Sequence, residues 1–231
     1  MELLEINHLT KKYGSFTALD DVNLKIAKGK IIGLLGMNGA GKTTLLKLIN
    51  ELLIPTSGEI LFKGKKLGIE SKNDIAYLSD KEYLDENMNA VQILKFYNDF
   101  YKNFNYKKAL KYLDEFDIEK NKKIYKMSKG MKDKLKLVLV ISRSASLYII
   151  DEPLTAIDPI TREYILDIVF KKIDKNSSLI VTTHLLNEME KVFDEIIVLD
   201  KGKVVLNKEV KDLKTSIKSI LRRYSNVLET V

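Results

Sequence analysis

The sequence predicts an α/β protein with a largely parallel sheet, an antiparallel β portion and an inserted helical subdomain. Two observations lead to that class. Short apolar runs alternate with amphipathic helical stretches over most of the chain, as expected of strands that reach parallel neighbours through helical crossovers. Two other stretches place a lysine–glycine turn between apolar segments, the pattern of antiparallel hairpins.

In chain order, "KIIGLLG" (30–36) reads as a buried strand, followed by a glycine-rich turn and a helix from Lys42. "ILFKGKKLG" (60–68) reads as a hairpin, and "DIAYLS" (74–79) returns to a buried strand. Between Asp85 and Arg143 the pattern turns helical, through "NAVQILKFYNDFY", "YKKALKYLDEF" and the segment after Ser128. Strands resume with "LYIID" (147–151) and "SLIVTTH" (178–184), and "EIIVLDKGKVVL" (195–206) reads as a second hairpin. The expected layout is a single domain over 1–231. Its sheet lobes span about 1–84 and 144–210, its helical subdomain about 85–143 and a C-terminal extension about 211–231.

A chain of 231 residues, 45% hydrophobic and 31% charged, is long enough to bury one substantial core. It contains no cysteine, which excludes disulfides and thiolate metal sites and is compatible with an intracellular setting. Residues 1–10 lack the basic and apolar regions of a signal peptide. No apolar run approaches the roughly 18 residues that span a bilayer. Basic residues outnumber acidic ones by 39 to 32, a formal charge of +7. That balance suits anionic partners, yet the lysines are scattered, which favours a solvated surface and leaves no nucleic-acid partner expected.

The strand-to-helix junction "GLLGMNGAGKTTLLKLIN" carries Gly36-x-x-x-x-Gly41-Lys42-Thr43, the pattern and context of a phosphate loop. Glycines let the backbone approach phosphate oxygens, and amides at the helix N-terminus point at the anion. The candidate nucleotide-binding residues are Gly36, Asn38, Gly39, Ala40, Gly41, Lys42, Thr43 and Thr44. Lys42 would reach the β and γ phosphates, and the Thr43 hydroxyl would hold Mg2+. The core expected is thus a P-loop NTPase core.

"LYIIDEP" places Asp151 and Glu152 at the end of an apolar strand, where open α/β sheets bind ligands. Asp151 suits a water-mediated contact to Mg2+, and Glu152 suits a general base for an attacking water. With the phosphate loop, this pair points to nucleotide hydrolysis.

"KMSKGMKDK" (126–134) opens a helix with Ser128 as a good N-cap but places Lys129, Lys132 and Lys134 in its first turns. Cations there oppose the helix dipole at about 0.3 to 1 kcal/mol each. A visiting anion offsets this, since opposite charges 4 Å apart attract by about 4 kcal/mol at an effective dielectric near 20. The other reading is that Lys129 points to solvent.

Tyr13, "GMNGAGKTT", "MSKGM", "LYIIDEP", "TAID" and "TTH" follow one another in an order that resembles the ATP-binding subunits of ABC transporters. The resemblance covers Leu3 to about Val210. It implies an ATPase that binds ATP and Mg2+ and pairs head to tail as a homodimer or heterodimer. Each ATP would lie between one subunit's phosphate loop and the other's signature helix, so Ser128 and Gly130 would touch the γ-phosphate held by the partner. Lys129 and Met131 replace the glycine and glutamine commonest there, and the resulting Ser-Lys-Gly-Met resembles the branch serving small bacterial export systems.

The resemblance further gives Tyr13 an adenine-stacking role, with core filling as the alternative, and makes His184 a switch residue positioning the attacking water. Asp158 resembles a loop aspartate that crosses the dimer interface. Where the family usually has a glutamine touching Mg2+ and facing the membrane partner, this chain has Asp80; aspartate is a hard-cation ligand, but shorter and negative. The implied partner is a transmembrane permease subunit, placing the protein in the cytoplasm at the inner face of the membrane. Docking is expected between Asp80 and about Phe104, where Phe96, Tyr97, Phe100, Tyr101 and Phe104 recur at helical spacing; such a stripe fits either an interface or a core. The rival reading is a soluble ABC-type ATPase acting on ribosomes or nucleic acid.

Overall fold

A computed structural model describes residues 2–79, 83–152, 157–182, 192–213, 217 and 219. The chain begins with two twelve-residue strands, β1 (Glu2–Tyr13) and β2 (Phe16–Ala27), paired antiparallel through a tight turn. In β2, buried Val22, Leu24 and Ile26 alternate with exposed Asp21, Asn23 and Lys25, the period-two pattern of a sheet with one face in the core. β4 (Ser57–Phe62) and β5 (Lys65–Lys66) complete a four-stranded antiparallel sheet in the order β2-β1-β4-β5. The "ILFKGKKLG" hairpin is therefore present.

The second sheet has the order β10-β9-β3-β8-β7-β6. It comprises β3 (Ile31–Leu35), β6 (Ile75–Leu78), β7 (Leu147–Asp151), β8 (Ser178–Thr182), β9 (Glu195–Asp200) and β10 (Lys203–Glu209). All neighbours are parallel except β9 and β10, which form the second expected hairpin. β3, β7 and β8 are almost wholly buried, as parallel strands covered on both faces must be.

Helix α1 (Lys42–Ile49) inserts Leu45, Leu46, Leu48 and Ile49 into a core shared by both sheets. α2 (Ile69–Asp74) leads into β6. The other core lies among α3 (Ala90–Phe100), α4 (Tyr106–Glu115), α5 (Lys129–Ile141) and the far face of the parallel sheet. From Leu135 to Ile141 every residue of α5 is buried, so its apolar surface is not confined to a stripe. α6 (Pro159–Lys172) crosses between β7 and β8. This arrangement puts the C-terminal ends of β3, β7 and β8 side by side.

Candidate functional site

After Leu35 the backbone turns through Gly36, Gly39 and Gly41, at φ 146°, 81° and 105°, before α1 starts at Lys42. A Cβ on Gly36 would lie 2.3 Å from the Leu199 carbonyl oxygen, and one on Gly41 2.7 Å from that of Ala18. Glycine is thus required twice over, by conformation and by space. The Gly202 amide donates to the Ala40 carbonyl at 3.0 Å, tying the loop to the β9–β10 turn. Gly41 offers no side-chain cap to α1, leaving the first-turn amides and the positive dipole end for an anion.

The Lys42 ammonium donates to the Gly36 and Met37 carbonyls at 2.8 and 3.2 Å. Burial pushes its pKa below the ordinary lysine value, while the Glu152 and Asp151 carboxylates act in the opposite direction. Both acids therefore act electrostatically on a cation held inside the loop. Thr43 and Thr44 are half-buried in the first turn of α1, Ala40 is buried and Asn38 is exposed.

Asp151, only 2% exposed, ends β7. Its Oδ1 accepts from Thr182 Oγ1 at 2.6 Å, and its Oδ2 accepts from the Tyr77 hydroxyl at 3.5 Å. The Glu152 amide donates to Thr182 Oγ1 at 2.9 Å and to the Thr182 carbonyl at 3.2 Å. Glu152 has φ 49°, a conformation costing a non-glycine residue roughly 1 kcal/mol or more and concentrated at functional sites. Thr182 and Tyr77 were not singled out in the sequence. Thr182 lies opposite Asp151 in the β7–β8 register, which the structure supplies.

The structure brings the 36–44 loop, Asp151 and Glu152 into one region. Asp80 and His184 lie outside the described residues. Tyr13 is 46% exposed at the end of β1, with Lys11 Nζ 5.1 Å from its ring centre, which removes the core-filling alternative. Ser128 caps α5 by accepting from the Met131 amide at 3.2 Å, and Gly130 is half-buried in the first turn. Neither Tyr13, Ser128 nor Gly130 hydrogen-bonds the phosphate loop among the described residues. Asp158 caps α6 through the Thr161 amide at 2.9 Å.

The lysines after Ser128 need a corrected account. Lys132 pairs with Glu86 at 2.8 Å and Lys134 donates to the Phe116 carbonyl at 3.2 Å. Protein groups thus answer two of the three charges without a visiting anion. Lys129 is exposed.

As metal ligands, Thr43 and Asp151 offer hard oxygens beside the loop. Among the described residues no group of three or more histidines or carboxylates could enclose a metal alone. The set fits Mg2+, which is usually bound by few protein oxygens together with substrate phosphates.

Residues 19–155 match the family model described as ABC transporter. The chain belongs to the ABC transporter family. It is one of that family's ATPase subunits, with the P-loop NTPase fold. The lantibiotic transport ATP-binding protein SrtF of Streptococcus pyogenes is 31% identical, covering 90% of this chain and 91% of that protein. The xylose/arabinose import ATP-binding protein XylG of Sulfolobus acidocaldarius is also 31% identical, over 90% of this chain and 88% of its own. A solved structure of the ATP-binding subunit of an ABC transporter superposes with a TM-score of 0.87 at 27% identity, covering 96% and 99% of the two chains. No helix among the described residues of the ABC ATPase is long and apolar enough to cross a membrane.

Proposed function

We propose that this subunit hydrolyses ATP at a site completed by a second cassette and thereby drives a separate membrane permease, in the export direction. The observation that carries the catalytic reading is Lys42, buried in the phosphate loop and acted on by the carboxylates of Asp151 and Glu152. ATP phosphates lie along the 36–44 amides, where Lys42 offsets their charge. Glu152 takes the proton of a water whose oxygen bonds to the γ-phosphorus as the bond to the ADP oxygen breaks. Thr43 and Asp151 would hold Mg2+, which supplies further neutralisation of phosphate charge when bound. The exposed Tyr13 ring has a face available for adenine.

A second cassette, identical or related, brings its Ser128 and Gly130 to the γ-phosphate. The permease occupies a groove of about 490 Å³ whose lining includes Leu52, Ile69, Tyr97, Phe100, Tyr101 and Arg143. Leu52, Ile69 and Phe100 are 60%, 82% and 68% exposed there, apolar area that a cytoplasmic segment of the permease would cover. The protein then sits at the inner face of the membrane through that partner. Export is favoured by the Ser128–Met131 signature and the likeness to SrtF, although XylG marks import relatives of equal identity.

The test is Glu152→Gln. It should leave ATP binding intact and slow hydrolysis by roughly 100-fold or more, the scale of general-base loss. Unchanged turnover refutes the assignment.

A further inference from the structure

We propose that a cavity of about 480 Å³ beside the N-terminal ends of β7 and β8 is a second anion site, binding a small phosphate-bearing polyanion through Lys28, Lys108 and Lys172. It is distinct from the phosphate loop, because β7 leads from this end of the sheet to Asp151, a span of about 13 Å at ~3.3 Å per residue. The cavity is of a size that small ligands occupy.

Its wall carries Lys28, Lys108, Arg143 and Lys172 against two carboxylates, Asp74 and Asp174. The remaining charge is decided by which of these are already engaged. Arg143 donates to the carbonyls of Ile75, Lys72 and Asn73 and to Asn103 Oδ1. Asp74 pairs with Lys63 and accepts from the Ser146 amide and hydroxyl. Asp174 Oδ1 accepts from the Asn176 amide at 2.7 Å. Among the described residues Lys28, Lys108 and Lys172 have no carboxylate partner. They come from the end of β2, the first turn of α4 and the end of α6, so three elements converge their cations on one concavity.

Lys108 is the most informative of the three. It sits in the first turn of α4, where no acidic residue is present and its charge opposes the helix dipole. Its stem is half-buried with the ammonium 5.6 Å from the Tyr112 ring centre. Burial lowers its pKa, and the neighbouring Lys172 charge lowers it further. A dianion between Lys108 and Lys172 turns that repulsion into two attractions and meets the positive end of α4. Scattered surface lysines have no reason to converge in this way. The shared chemistry is a phosphate group, carried either by a soluble molecule or by a lipid headgroup.

The site is independent of the ATP reading, and the experiment separates them. Pyrophosphate is titrated calorimetrically at low ionic strength into the full chain, into Lys42→Ala, and into Lys42→Ala combined with Lys108→Met and Lys172→Met. Methionine keeps the apolar stem and removes the charge. Binding that survives Lys42→Ala and weakens at least ~10-fold with the two methionines supports the site with a soluble ligand. Co-sedimentation with phosphatidylglycerol vesicles, lost in Lys108→Met/Lys172→Met, supports it with a lipid headgroup. Lys172→Glu, at an exposed position, repeats both arms without disturbing α4. If neither pyrophosphate nor vesicle binding responds to these substitutions, the cavity is not an anion site.

Discussion

Thr182 Oγ1 donates to Asp151 Oδ1 at 2.6 Å while accepting from the Glu152 amide at 2.9 Å. One hydroxyl on β8 therefore fixes both acidic residues at the end of β7. Removing it leaves a buried carboxylate short of a donor and leaves the Glu152 amide only its 3.2 Å bond to the Thr182 carbonyl. Thr182→Val preserves shape and strand propensity, so the fold should persist. Hydrolysis should fall about 10- to 100-fold, the scale for losing a group that orients ligating carboxylates. ADP affinity should change by less than about threefold, since loop contacts are untouched. Steady-state turnover and ADP titration of the same preparation check this; unchanged turnover would show that Thr182 is only a strand residue.

The phosphate loop was legible because its signals are local: glycines at positive φ, a lysine and a helix start all fall within one short segment. Asp151 and Glu152 were legible for the same reason, at the end of one apolar strand. Thr182 was not, because its role depends on the pairing of β7 with β8, thirty-one positions away. The parallel core and both hairpins followed from apolar runs and lysine–glycine turns. β2 shows in the sequence only through the alternation of Val22, Leu24 and Ile26 with polar residues. The partners of the α5 lysines were not legible, since Glu86 and the Phe116 carbonyl, which answer Lys132 and Lys134, lie far off in sequence.

Lys42 gives a pH signature. Its ammonium in the folded protein has a pKa below 10.5 because it is buried, and nucleotide phosphates raise it again by adding negative charge nearby. Between the lowered free value and the raised bound value, binding must take up a proton. Affinity for ADP should therefore fall as pH rises through that window, whose lower edge lies below 10.5. Calorimetry across the alkaline range up to about pH 10.5 in buffers of different ionisation heat measures the uptake directly, and Lys42→Arg, which stays charged, should abolish it. Equal heats in all buffers for the unaltered chain would contradict the linkage.

The paired site predicts complementation. Lys42→Ala disables one phosphate loop, and Ser128→Arg blocks one signature helix; each alone should be nearly inactive. Mixed, they leave one intact composite site per heterodimer and should restore measurable hydrolysis. A mixture that stays inactive while heterodimers form rules out the head-to-tail arrangement. Lys129→Gly then tests the exposed lysine: weaker ATP-driven dimerisation assigns it to phosphate, and no change assigns it to solvent.

The aromatics expected as one helical stripe are divided between core and surface, and α3 ends at Phe100, so Tyr101 and Phe104 lie beyond it. Phe104 is 7% exposed, and Tyr97 and Tyr101 pack partly against the core, whereas Phe96 and Phe100 are 51% and 68% exposed and stack at 6.2 Å. Phe100 lines the groove with Leu52 and Ile69, so the apolar surface continues from the helical block onto the segment after α1 and the start of α2. Covering that surface is worth about 25 cal/mol per Å² before association costs, a gain available only to a partner with an apolar contact segment. Phe96→Ser with Phe100→Ser should abolish co-purification with the permease. Thermal stability and basal hydrolysis should hold, because exposed substitutions typically shift stability by no more than about 0.5 kcal/mol. Phe104→Ser is the contrasting variant: burial makes it cost on the order of 3 kcal/mol or more, so it should lower stability whether or not a partner is present. Cross-links placing the permease instead on the turn between Lys201 and Val205 would move the docking surface to the β9–β10 hairpin.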